Sequence, residues 1–146
     1  MSTSTPSAAP SPIAHRRGAE LALAVGGFGI GTGEFAIMGL LPNVAKDLAI
    51  SIPQAGHVIS IYALGVVIGA PVIATLAARL SRRTLLLLLM VLFAVGNIAS
   101  ALSSSYGNLM VFRFISGLPH GAYFGVASLV AASMAGVGQR AKAVGR

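Results

Sequence analysis

Apolar residues run through this chain in four long stretches, at about 20–41, 54–78, 84–102 and 109–135, with most of the charge in the segments between and flanking them. As an α-helix rising about 1.5 Å per residue, each stretch is long enough to cross a hydrocarbon layer about 30 Å thick. The pattern predicts an all-α, polytopic membrane protein of four transmembrane helices. The third stretch is bulky and apolar on every side, from Leu85 through Val95, with only Asn97 and Ser100 as polar interruptions. It is expected to face lipid most.

The charges turn this pattern into a topology. Arg16 and Arg17 precede the first stretch, Arg79, Arg82 and Arg83 lie around the junction of the second and third, and Arg140, Lys142 and Arg146 follow the fourth. Of basic residues, the opposite loops, 42–53 and 103–108, carry only Lys46. Lys and Arg are retained on the cytoplasmic face during insertion, so both termini are expected inside, with an even number of spans. Residues 1–18 read as a disordered cytoplasmic tail, because MSTSTPSAAPSPIA holds too little apolar bulk to offset the entropy of ordering it. Residues 136–146 read as a basic cytoplasmic end. Arg16-Arg17 is not expected to introduce an export signal, since the apolar run behind it exceeds the 7–15 residues of such a core.

Composition sharpens the class. The chain is 55% hydrophobic and 9% charged, with a mean hydropathy of +0.86, whereas soluble domains carry about 25% charged residues. The net charge of +7 sits in clusters at helix ends without aromatic interleaving or a nucleic-acid-binding module. Anionic lipid headgroups, at about 1 kcal/mol per basic residue near the surface, are the expected partner, and nucleic acid is not. The absence of cysteine excludes disulfides and thiolate metal sites.

Glycines recur at four-residue spacing: Gly27 and Gly31, overlapping Gly29 and Gly33, in the first span; Gly65 and Gly69 in the second; Gly117, Gly121 and Gly125 in the fourth. Residues four apart share a helix face, so these ladders allow close backbone approach where apolar attraction between helices is weak. Static packing and mobile, cavity-lining helices are both open readings. Pro42 is expected to stop or bend the first helix, while Pro71 and Pro119 lie within the second and fourth as tolerated kinks.

Two charged residues fall inside spans. Glu34 lies about 10 Å and Arg113 about 6 Å from the outer end of its helix, a difference an arginine side chain can span. A lone charge near the bilayer centre costs about 2.5–3.5 kcal/mol, so each needs a partner or a wet cavity, and the two are expected to be able to meet. A functional proton site and a fixed ion pair are both open for Glu34, as are a functional role and snorkelling for Arg113. His120, beside Pro119, is the histidine within a span core and reads either as a local hydrogen-bonding group or as part of the proton and substrate pathway with Glu34 and Arg113. Glu20, Glu34 and Asp47 sit at different levels, so no metal site is expected. No Ser/His/Asp set or phosphate loop stands out, so neither a cofactor nor enzymatic chemistry is expected.

Three stretches carry a resemblance: GEFAIMGLLP from Gly33, Ile59 to Ala70, and RFISGLPHGAYFGVASLVAA from Arg113. Together they resemble the amino-terminal part of a major facilitator superfamily transporter, of the twelve-helix drug and sugar efflux branch, over about residues 18–146. In the loop after the second helix the family pattern is G-x-x-x-D-R-x-G-R-R. Here Arg79, Arg82 and Arg83 match its basic positions, which the family uses as a cytoplasmic gating loop, but its glycines and aspartate are replaced by Ala74, Ser81 and Ala78. Arg113 and Gly117 meet the family's R-x-x-x-G, implicated in proton coupling. The resemblance implies a small-molecule substrate held between two six-helix halves, of which these helices are a truncated amino-terminal portion. Proton-coupled efflux of a drug or sugar, by a chain not competent alone, is the leading expectation. A small four-helix multidrug-resistance-like dimeric carrier and a non-transporting membrane interaction protein are the alternatives.

Overall fold

In the computed structural model, residues 12–77 and 79–134 are described, with side chains from Arg17 onward. They form α1 (Pro12–Asp47), α2 (Ile52–Leu76), α3 (Arg82–Ala101) and α4 (Tyr106–Met134), with no strand among the described residues. All four are long and apolar enough to cross a membrane. Of the expected tail, residues 1–11 lie outside the described residues, as does the basic end at 136–146. Residues 12–18 are instead the opening turns of α1. Pro12 suits a first helical position because its missing N–H would have no partner there, and the following Ala, Arg and Glu residues are good helix formers.

The helix ends are set by local chemistry. Ser51 caps α2 reciprocally: its hydroxyl accepts from the Gln54 backbone N–H while the Gln54 side chain accepts from the Ser51 N–H. Ser81 caps α3 through the Thr84 N–H, and Ser105 accepts from the Asn108 N–H at the start of α4. Helix α1 does not stop at Pro42 but continues to Asp47. A proline there has no N–H to donate to the Met38 carbonyl, a local loss that does not end the helix. The helix ends where Ala49 takes a left-handed φ of 51°. The Ile50 N–H then donates to the Ala45 carbonyl at 2.9 Å and the Ala49 N–H to the Lys46 carbonyl at 3.2 Å, a Schellman closure.

Helix α4 is the centre of the bundle, packing most extensively on α2 and then on α3, while α1 leans on α2 and touches the others lightly. The α2–α4 seam is backbone against backbone. A side chain on Gly65 or Gly69 would strike the Phe114 or Leu118 carbonyl, one on Gly117 the Tyr62 carbonyl, and one on Gly121 would stand 3.0 Å from the Val66 carbonyl. Two bulky helices cannot approach so closely, and in lipid such contact replaces the missing hydrophobic drive. Gly31 and Gly125 depart from the pattern that spacing predicts: a Cβ on either meets nothing within 4 Å. Gly96, outside any ladder, is instead packed on Ser116 of α4.

Apolar side chains fill the junction of α1, α3 and α4: Ile30, Leu85, Leu89, Phe93, Ala122 and Tyr123. The Tyr123 hydroxyl donates to the Leu23 carbonyl of α1 at 3.0 Å. The expectation that α3 faces lipid most is not met. Leu85, Leu89, Phe93 and Gly96, at spacings of three and four, bury one stripe of α3, and α1 is the least buried of the four helices. Bulk on every side does not decide exposure; the neighbours do.

Candidate functional site

The polar groups inside the bundle converge on one level. Glu34 reaches it because Gly33 lets α1 lie against Phe93 and Asn97 of α3; a Cβ on Gly33 would be 2.9 Å from the Phe93 ring. Tyr62 comes from the buried face of α2, one turn before Gly65. Arg113 and His120 come from α4, two turns apart.

Arg113 is 3% exposed. It turns into the bundle and does not snorkel to a helix end. Its Cζ lies 4.3 Å from the centre of the Tyr62 ring, a cation–π distance, and Nη1 donates to Asn97 Oδ1 at 3.4 Å. Asn97 is oriented for this by donating its own amide to the Phe93 carbonyl at 2.8 Å. The remaining donors, Nε and Nη2, are buried without a hydrogen-bond partner. That is costly, since each buried donor left unmatched forfeits about 1–3 kcal/mol, more on a charged group.

The expected meeting of Glu34 with Arg113 is not made. Glu34 Oε2 faces His120 instead, 3.9 Å from Nδ1, and the same nitrogen lies 2.9 Å from the Tyr62 hydroxyl. The His120 ring stands edge-on to Tyr62, with centroids 5.8 Å apart, and leans on Phe124 at 5.3 Å. A polar string therefore runs Glu34, His120, Tyr62, Arg113, Asn97 through α1, α4, α2, α4 and α3. Its Glu34–His120 end holds two groups that can each carry a proton, and its other end holds the Arg113 guanidinium.

Tyr62 joins the two halves of this string, and nothing in the sequence singles it out. An aromatic in an apolar helix reads as core, and its partners are 51 and 58 positions away. Arg79, Arg82 and Arg83 are all exposed around the α2–α3 connection, away from this cluster. Among the described residues no group of three His, Cys, Asp or Glu side chains is placed to hold a metal ion.

Comparison with known proteins agrees with this architecture. The Inner membrane transport protein YdhP of Escherichia coli K12 is 49% identical over 124 residues, covering 85% of this chain and 32% of the relative. The Putative transporter AraJ of the same organism is 54% identical over 110 residues, covering 75% and 28%. A Chloramphenicol resistance protein of Streptomyces lividans is 33% identical over 122 residues, covering 84% and 31%. The chain thus spans about a third of the length of these relatives. The sequence profile of the Major Facilitator Superfamily matches residues 23–146. With its four apolar helices, the chain is an integral, multi-pass membrane protein that belongs to the Major Facilitator Superfamily, a family of transporters and not of enzymes.

Proposed function

We propose that this chain is part of a secondary active transporter that expels a small organic solute in exchange for protons, seated in the cytoplasmic membrane with both termini in the cytoplasm. The carrying observation is the string of ionisable side chains among apolar helices, with half-exposed Glu34 beside His120 and Arg113 buried on Tyr62. Intramembrane charges cost several kcal/mol and mark ion and proton pathways. The names of the relatives, transport proteins and a chloramphenicol resistance protein, support export of a small molecule.

In this reading a proton reaching Glu34 cancels its carboxylate charge and ends its attraction to the positive field of Arg113. The weakly held α1 is then free to shift against α2 and α4. Exchange of solute for proton follows when the shift exposes opposite faces in turn. Exposed Arg79, Arg82 and Arg83 lie on the cytoplasmic side, where anionic headgroups attract them. Their placement near the start of α3 opposes its dipole, which fits a topological or gating role better than a stabilising one.

Four helices do not form two bundles that rock about a shared site, so the chain alone is not competent for transport in this reading. The test is reconstitution into proteoliposomes with an imposed proton gradient and a panel of drugs and sugars, alone and co-assembled with the remaining helices of YdhP. Solute-dependent proton flux only after co-assembly, and lost in Glu34→Gln, is the expected result. Flux from the chain alone favours the small dimeric carrier, and the absence of flux in both preparations overturns proton-coupled export.

A further inference from the structure

His120 Nδ1 has two neighbours of opposite character: the Tyr62 hydroxyl at 2.9 Å and the Glu34 carboxylate oxygen at 3.9 Å. We propose that Tyr62 is a positioning residue that donates its hydroxyl proton to His120 Nδ1, fixing the Nε2–H tautomer and occupying the Nδ1 lone pair that would otherwise be open to Glu34.

The direction of the hydrogen bond follows from what each arrangement leaves unmatched. Tyr62 is 2% exposed, and His120 Nδ1 is the hydrogen-bond partner its hydroxyl has. If Nδ1 carried the proton, the Tyr62 hydrogen would be buried without an acceptor. With Tyr62 as donor, its hydroxyl is satisfied, and the histidine proton moves to Nε2 on a ring that is 15% exposed. The Arg113 guanidinium over the Tyr62 ring strengthens this choice. A positive charge on the ring face withdraws electron density from the phenol and makes its O–H a better donor.

The titratable groups facing His120 are Glu34 from α1 and Tyr62 from α2, while Arg113, on its own helix, lies over the Tyr62 ring. Helix α3 contributes Asn97, which is uncharged and committed to Arg113. Nδ1 therefore takes a proton from Glu34 only once the Tyr62 hydrogen bond gives way. The Oε2–H bond breaks and an Nδ1–H bond forms, leaving a carboxylate and an imidazolium. The Tyr62 hydroxyl then turns its hydrogen off Nδ1 and loses its acceptor, a cost that the new ion pair has to offset. One proton thus changes the link between α4 and α2 and creates an ion pair between α4 and α1. This rests on the proton-pathway reading for its use, but the tautomer itself is a property of the resting chain and is measured without transport.

The experiment is nitrogen NMR of the imidazole side chains in the full chain, in detergent micelles or nanodiscs at alkaline pH where imidazole is neutral. There are 3 histidines, and His120 is assigned by the signal lost in His120→Gln. The expected spectrum shows Nε2 protonated and Nδ1 as an acceptor. Tyr62→Phe keeps the ring beneath Arg113 and should lower the ratio of Nε2–H to Nδ1–H at least about fivefold, the factor one net hydrogen bond supports. A parent chain in which the Nδ1–H form makes up half or more of neutral His120 overturns the proposal without any Tyr62 variant. So does a folded Tyr62→Phe chain with an unchanged ratio. If the tautomer behaves as stated while the co-assembled transporter shows no proton flux, the positioning role stands and the transport reading falls.

Discussion

Gly117 of α4 lies directly against the Tyr62 carbonyl of α2, so close that even one added carbon has no room. The same α4 surface holds Arg113 four residues earlier and His120 three residues later, so this seam sets the register of the buried polar string. Gly117→Ala should therefore destabilise the purified protein by about 1–3 kcal/mol, the usual cost of overpacking. Gly125→Ala is the control, because a Cβ there meets nothing within 4 Å. It should be neutral or raise stability by up to about 1 kcal/mol through helix propensity. Thermal melting in detergent, followed by circular dichroism, separates the two.

The end of α1 supports a prediction of opposite sign. Ala49 occupies the left-handed C′ position of a Schellman closure with φ 51°, where a Cβ is disfavoured and glycine is the common residue. Ala49→Gly should stabilise the chain by about 0.5–1 kcal/mol, the strain relieved exceeding the extra unfolded-state entropy. A lower melting temperature for Ala49→Gly would mean that this closure does not hold α1 at its observed length.

The helices were legible because a run of about twenty apolar residues matches the thickness of a bilayer and far exceeds a buried strand, and each run became one helix. Their ends were less so, although a signal existed: Ser51 followed by Gln54 three residues later is a capping box that starts α2 at Ile52. Pro42 did not stop α1, because a proline lacks one hydrogen-bond donor without forbidding the next turn. Glu34 and Arg113 stood out as charges in apolar surroundings, yet their partners did not. Depth along a helix places two residues at one level, while rotation about its axis decides which neighbour each meets. That rotation also separates Gly117, packed on α2, from Gly125, which faces open space.

Arg113 allows stability and function to be set against each other. Its Nε and Nη2 are buried without partners, so the charge is held at a cost that the Tyr62 ring and a 3.4 Å hydrogen bond to Asn97 offset only in part. An apolar side chain of similar length removes that cost. Arg113→Met should melt at a higher temperature than the parent, by an amount equivalent to about 1 kcal/mol, while abolishing proton flux in the co-assembled transporter. A clear loss of stability would show that the guanidinium is a structural brace.

Direct contact also governs how substitutions combine. Arg113 touches Tyr62 but makes no ion pair with Glu34 among the described residues. In double-mutant cycles read by thermal stability, Arg113→Gln and Tyr62→Leu should couple by about 0.5–2 kcal/mol, as contacting pairs do. Arg113→Gln and Glu34→Gln should couple less, since their charges interact only across intervening side chains. Stronger coupling for the second pair would place Glu34 on Arg113 after all.

The membrane orientation rests on loop charge, and the fold offers positions to test it. The turn from α1 to α2 and the turn from α3 to α4 lie at one end of the bundle, where the Tyr106 hydroxyl donates to the Gln54 carbonyl at 3.2 Å. The α2–α3 connection, with exposed Arg79, Arg82 and Arg83, lies at the other. The protein has no cysteine, so introduced thiols report without background. Asn43→Cys and Ser104→Cys, both at exposed positions, should react with a membrane-impermeant maleimide added to intact cells. Ser81→Cys, exposed at the opposite end, should react only after the membrane is permeabilised. Because retention of Lys and Arg on the cytoplasmic side is the basis of the assignment, the triple replacement of Arg79, Arg82 and Arg83 by Gln should weaken it. Some of the Ser81→Cys population should then become reactive from outside. Labelling of Ser81→Cys in intact cells without those replacements would reverse the topology, and with it the side on which the Arg79, Arg82 and Arg83 cluster acts.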